Sequence, residues 1–428
     1  METPKSDPAA SYSILVVGTL DTKGAEIRFL RDRLIAAGLM AEVVDIGIIG
    51  APAFKPDVSR EEIARAAGES IADLAEMADR GRAIAAMHKG LAAWVCERRY
   101  KGFRDAMLAI GGSAGTAIAT AGMRELPLGT PKLMVSTMAS GDVRPYVGTS
   151  DLCMMYSVTD FAGLNSLTAA VLANAADAMA GMCGPRASLP RTSNRTLLAA
   201  TMFGNTTPCV NRVKELLEER GYELLVFHAT GTGGQAMERL LIEGFVKGVL
   251  DITTTELADE LVGGVLTAGP RRLEAAGKIG VPQVISVGAL DMVNFGAPET
   301  VPPKFAGRLF YQHNPAVTLM RTTPQENREL GEMLAQKLNR AQGPVSLLVP
   351  LQGVSEMDRL GKPFFDPAAD GSLFDALRAN VGSNVNLVEL DLHINDPEFA
   401  SALVAEFFKY AEAPTQQSAR ASAIRGES

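Results

Sequence analysis

Short apolar runs alternate along this chain with stretches whose apolar residues recur at helical spacing. Residues 13–19 are a mostly apolar run without polar alternation, the pattern of a strand buried on both faces of a parallel sheet, and further strands are expected at 40–46, 106–110, 132–137 and 152–158. Between the first two, Ile27, Leu30 and Leu34 share one helical face over residues 25–37, and Gly38 is placed to end that helix. Ser59 followed by Glu62 predicts a capped helix start, with helical stretches over 60–80 and 81–97. An alanine-rich amphipathic helix over 164–182 closes this half.

The pattern then restarts. Residues 184–193 are rich in Pro, Ser and Arg without periodicity and read as a linker. Strands are expected at 195–202, 222–228, 249–252, 283–287, 345–348 and 385–390, with helices at 209–220 and 397–410. Strand–helix alternation of this kind predicts βαβ units, hence an α/β chain of two Rossmann-like, doubly wound domains with mostly parallel sheets. The domains are expected at 13–183 and 194–412, between a loose N-terminus (1–12) and a flexible tail (413–428). For the first sheet the predicted strand order is 2-1-3-4-5, which puts the switch point between its first and third strands.

Composition narrows the function classes. The chain has 428 residues, 41 of them glycine, and a formal charge of −8. No run of Lys or Arg forms the basic footprint that nucleic-acid binding requires. The four cysteines (Cys96, Cys153, Cys183, Cys209) are widely spaced and form no metal motif, which favours reduced, mostly buried thiols. No signal-like start and no uninterrupted apolar run of about 20 residues is evident, so a cytoplasmic location and no membrane partner are expected.

Two glycine turns leave the carboxyl ends of the first and third strands. Gly18, Thr19, Asp21, Thr22, Lys23 and Gly24 supply the glycines, hydroxyls, acid and lysine of a phosphate loop, without matching either standard nucleotide fingerprint. The alternative is an ordinary strand-to-helix turn capped by Asp21 or Thr22. Gly111, Gly112, Ser113, Gly115 and Thr116 form a better backbone nest before a helix, where free N–H groups hold phosphate. Asp45, ending the second strand, stands either at a ribose hydroxyl or simply in water. Ser136 and Arg144 follow the fourth strand, Arg144 facing a phosphate or making a surface salt bridge. In the second half, Gly204, Asn205, Thr206 and Thr207, together with Gly231, Thr232, Gly233 and Gly234, suggest another ligand crevice, with Asp291 and Asn294 facing it. No Ser-His-Asp order, metal-binding helix or nucleophile elbow is present, so no catalytic residue is assigned.

Residues 18–24 with Glu26, the Val44-Asp45-Ile46-Gly47 segment, residues 111–116, 202–207 and 228–234 together resemble the family containing the ATP-binding region of the tomato mosaic virus resistance protein. The resemblance runs from about residue 13 to about 412. It implies two Rossmann-like domains, ATP bound by the first, and a tendency to form homodimers. It implies no reaction. In the plant member this region binds a viral replication protein, and a further barrel domain resembles a phosphoenolpyruvate hydrolase. A role tied to that barrel would need a separate barrel-type partner here.

The leading expectation is therefore a nucleotide-binding protein, ATP preferred. Lys23 would offset phosphate charge, Asp21 would hold Mg²⁺ directly or through water, and Thr22, Ser113 and Thr116 would donate hydrogen bonds. The alternatives are a metabolic enzyme for a small phosphorylated or carboxylated substrate, and a protein-binding module stabilised by its nucleotide.

Overall fold

The computed structural model describes residues 13–76, 79–103, 105–184 and 195–411. The expected loose N-terminus, the linker beyond Gly184 and the tail lie outside the described residues. The chain divides into two units, Met1–Pro190 and Arg191–Ser428.

Unit 1 holds strands β1 (Ser13–Gly18), β2 (Met40–Asp45), β3 (Asp105–Gly111), β4 (Lys132–Ser136) and β5 (Cys153–Tyr156). They form one parallel sheet in the order β2-β1-β3-β4-β5, as expected. Its helices are α1 (Leu20–Ala36), α2 (Arg60–Ala66), α3 (Ile71–Glu76), α4 (Arg80–Tyr100), α5 (Ser113–Glu125), α6 (Arg144–Val147) and α7 (Ser166–Cys183). The apolar runs lack alternation because both sheet faces are covered. Ile14 and Val16 pack with Ile27 and Leu30 of α1 and Leu172 and Met179 of α7. Leu15 and Val17 point the other way, into a core with Met87 and Leu91 of α4 and Ile118 of α5. Helices α1 and α5 therefore leave neighbouring strands on opposite faces, which opens a crevice at their N-termini.

Three local expectations change. Helix α1 begins at Leu20 rather than at 25, so residues 20–24 are helical apart from Lys23 (φ −130°, ψ 25°). The Asp45 carboxylate draws the chain into the helix early by accepting the Leu20 N–H at 3.0 Å. The stretch 60–80 is two short helices, α2 and α3, rather than one; Ser59 caps the first by accepting from Glu62 N. Finally, α7 is long and apolar enough, by length and composition, to cross a membrane. Its Leu172, Ala175, Ala176 and Met179 are buried in the core shared with α1.

In unit 2, β6 (Leu197–Met202), β7 (Glu223–His228), β8 (Val249–Thr253), β9 (Gln283–Gly288), β13 (Val345–Pro350) and β14 (Val385–Leu390) form a parallel sheet ordered β14-β13-β9-β8-β6-β7. A three-stranded antiparallel sheet, β10 (Met292–Phe295), β12 (Val317–Arg321) and β11 (Phe310–Asn314), was not foreseen. Its outer strand β11 is mostly exposed and carries Gln, His and Asn, so it offers no continuous apolar run to read. Helices α8 (Thr207–Glu219), α9 (Thr232–Ile242) and α10 (Glu256–Val262) follow β6, β7 and β8.

Candidate functional site

At the β1/β3 switch point of unit 1 lies a cavity of about 820 Å³, within the usual range for small-molecule sites. Thr19, Asp21, Thr22 and Lys23 line it from the β1–α1 turn and the first turn of α1, and Gly111, Gly112, Ser113 and Gly115 from the β3–α5 turn and the start of α5. These eight expected residues are brought together although about 90 residues of chain separate the two turns.

The two helix starts differ in how their amides are met. Thr19 and Gly112 are the N-cap residues and neither caps its helix through its own side chain, but the first amide of α1, Leu20 N, is already held by the Asp45 carboxylate at 3.0 Å. In α5 the first intrahelical bond is Thr116 N to Gly112 O at 2.8 Å, so the Ser113, Ala114 and Gly115 amides precede the ladder, where the positive end of the helix dipole favours an anion. The glycines divide by cause. A Cβ on Gly18 would meet Ile27 Cδ1 at 2.6 Å, one on Gly24 the Ala53 Cβ at 2.4 Å, and one on Gly111 the Gly115 backbone at 2.9 Å. Those three are glycine because the chain packs against itself there. At Gly112 and Gly115 the nearest atoms would lie 3.7 and 3.6 Å away. These two leave the nest open without any internal steric need.

The facing wall was missed from the sequence. Ile46, Ile48 and Ile49 from the segment after β2, with Leu74, Ala83 and Ile84 from α3 and α4, make it apolar. Ile49 lies at this wall although 90% exposed, the paired isoleucines in a polar loop being the signal that could have flagged it. Asp79, Arg80, Thr137, Met138 and Asp160 also line it. Neither Lys23 nor Arg80 forms an ion pair among the described residues.

Other expected residues are occupied elsewhere. Asp45 is fully buried and accepts from Leu20 N, Gly47 N (2.9 Å) and Arg60 Nε (2.7 Å), so it meets neither ribose nor water. Thr116 and Ser136 are buried and hydrogen-bond each other at 2.6 Å. Arg144 pairs with Asp142 at the surface, a bond that holds the Asp142 carboxyl down to about 2.

The second glycine turn is filled by its own chain. Glu256 Oε1 accepts from Gly231 N at 2.7 Å and Gly234 N at 3.1 Å, standing at the start of α9 where an external anion was expected. Arg272 binds Glu256 through Nε (2.5 Å) and Asp251 through both terminal nitrogens (2.5 and 2.7 Å), and all three are buried. Cβ atoms on Gly233 and Gly234 would strike His228 O at 1.8 Å and Glu256 Oε2 at 2.3 Å, and Gly231 has φ +85°. Thr232 is the first residue of α9. The Asn205 carbonyl is taken by Glu356 N and Asn395 Nδ2, Thr206 is buried against Thr253, and Thr207 bonds Phe203 O; Gly204 stays open. Asp291 and Asn294 are buried, with Asn294 held by Asp259.

Asp291 belongs to a buried cluster with Asp358, Asp370 and Arg321. Burial, then the charges of Asp291 and Asp370, push the Asp358 carboxyl up to about 9. Such a group keeps its proton in the fold and releases it when unfolded, so stability falls as pH rises from the ordinary carboxyl value toward that figure. Asp358→Asn, which mimics the protonated acid, is expected to flatten this slope. Thermal unfolding should show wild type losing ground to the variant between about pH 5 and about pH 8; parallel curves would place the proton elsewhere.

Among the described residues no three His, Cys, Asp or Glu side chains converge as a metal set. Models of the N- and C-terminal domains of an uncharacterised protein family, UPF0261, match residues 12–188 and 195–411. A UPF0261 protein of Clostridium tetani is 49% identical over 400 residues, covering 93% of this chain and 99% of that one. One from Rhizobium meliloti is 50% identical, covering 92% and 98%. The tomato ToMV resistance protein Tm-1(GCR237) is 41% identical over 93% of this chain, which spans 56% of the tomato protein. With both domain models matched in order and near-full-length relatives at half identity, this chain belongs to the UPF0261 family.

Proposed function

We propose that unit 1 binds a nucleotide, ATP preferred, in the cavity at the β1/β3 switch point. The observation that carries this reading is the open α5 N-terminus, which faces Lys23 and the start of α1 across one cavity with an apolar far wall. Phosphates would lie on the Ser113, Ala114 and Gly115 amides, with Lys23 and Arg80 offsetting their charge. The base would lie against Ile48, Ile49 and Ile84, whose burial by a ligand is favourable. The likeness to the ATP-binding region of the tomato resistance protein's family supports the same ligand. The filled turn of unit 2 supports placing the site in unit 1 alone.

Titration calorimetry of ATP into the full chain tests this. Lys23→Ala is expected to weaken binding roughly tenfold, or about 1.4 kcal/mol, with thermal stability unchanged because Lys23 is only half-buried and holds no ion pair among the described residues. Unchanged affinity would remove Lys23 from the site and count against it.

A further inference from the structure

A phosphate site of this kind is ordinarily expected to hold Mg²⁺, and Asp21 is the residue placed to do so. Its surroundings do not suit a dication. Asp21 Oδ2 accepts from Gly50 N at 3.2 Å and Ile49 N at 3.4 Å, and Arg60 Nη1 lies 3.8 Å away. The other oxygen, Oδ1, is buried and has no hydrogen-bond partner, and the same holds for Arg60 Nη2. These two atoms face one spot: a Cβ on Gly47 would lie 2.9 Å from Asp21 Oδ1 and 2.6 Å from Arg60 Nη2. A cation bound to the free oxygen would therefore press against a guanidinium, which is always charged. Arg60 is anchored in turn by Asp45 and by the Gly50 carbonyl at 2.5 Å. Asp21 and Arg60 thus clasp the loop that carries Ile48 and Ile49. The remaining acids at the cavity, Asp79 and Asp160, are exposed and come from separate segments.

We infer that this site takes its phosphorylated ligand as a free polyanion, with no bridging divalent cation. The negative charge is met instead by the α5 N-terminus, Lys23 and Arg80. The inference rests on the nucleotide reading above and deepens it.

The test is calorimetric titration of the full chain with ATP, and separately with inorganic tripolyphosphate, in EDTA and in excess Mg²⁺. Affinity in EDTA is expected to equal or exceed that in Mg²⁺, since the metal competes for the free anion. A loss of roughly tenfold or more on removing Mg²⁺ would overturn the inference while leaving the nucleotide site intact. Asp21→Asn adds a second measurement that does not depend on absolute affinity. The ratio of affinities in the two buffers is expected to match wild type; a metal-ligand role would show as a loss confined to Mg²⁺. Absence of binding by both compounds in both buffers would overturn the nucleotide reading and this inference together.

Discussion

Gly112→Asp is expected to weaken ATP binding at least about 100-fold, roughly 2.7 kcal/mol, while leaving unit 1 as stable as before or slightly more so. The two halves of this expectation have separate causes. Gly112 has φ −81° and is the N-cap of α5, a position that L-residues adopt freely and that Asp favours. A Cβ there comes no closer than 3.7 Å to Thr137 Oγ1. The fold accepts the side chain, and the new carboxylate caps the α5 amides. That is the arrangement unit 2 already shows, where Glu256 holds the α9 amides. An aspartate at 112 would occupy the phosphate's place in the same way and repel the ligand's charge. Calorimetry gives the affinity and thermal unfolding the stability. ATP binding that survives the substitution would move the ligand off α5.

Arg272→Met carries the largest expected cost in stability, about 3–5 kcal/mol in unit 2. Arg272 is 1% exposed, and its three hydrogen bonds are the charge partners of buried Asp251 and Glu256. Removing it leaves two carboxylates in a low-dielectric interior, and the penalty comes from that stranded charge more than from the lost attraction. Denaturant unfolding of the full chain, with hydrogen exchange followed in peptides spanning residues 231–262, would localise the loss to the α9 turn and α10. Adding Glu256→Gln to the variant should recover part of it, because one stranded charge becomes neutral. A cost below about 1 kcal/mol would mean that water reaches the cluster when the arginine is gone.

Much of the architecture was readable from local pattern. Apolar runs such as Ala106 to Ile110 lack alternation because a doubly wound sheet buries both faces, and that condition is written into consecutive residues. The strand order of unit 1 is the one expected of a doubly wound sheet with right-handed crossovers. The small antiparallel sheet of unit 2 escaped because β11 is half polar and its pairing with β12 is a tertiary matter.

The site was legible only in part. Glycine turns at strand ends marked both candidate anion sites, since a strand must turn sharply into its helix wherever the fold repeats that unit. Which turn stays open is decided by residues far along the chain. Glu256 lies 25 residues from Gly231, and Arg272 a further 16 residues on, yet together they fill one nest. By position alone Asp45 fits either a ribose hydroxyl or water, whereas in the fold Arg60 and two backbone amides hold it. Short-range patterning thus suffices for strands, helices and turns, because each depends on neighbours in sequence and on burial. Whether a set of amides meets a ligand or an internal carboxylate depends on which charges the packed chain carries to it, and only the folded arrangement decides that.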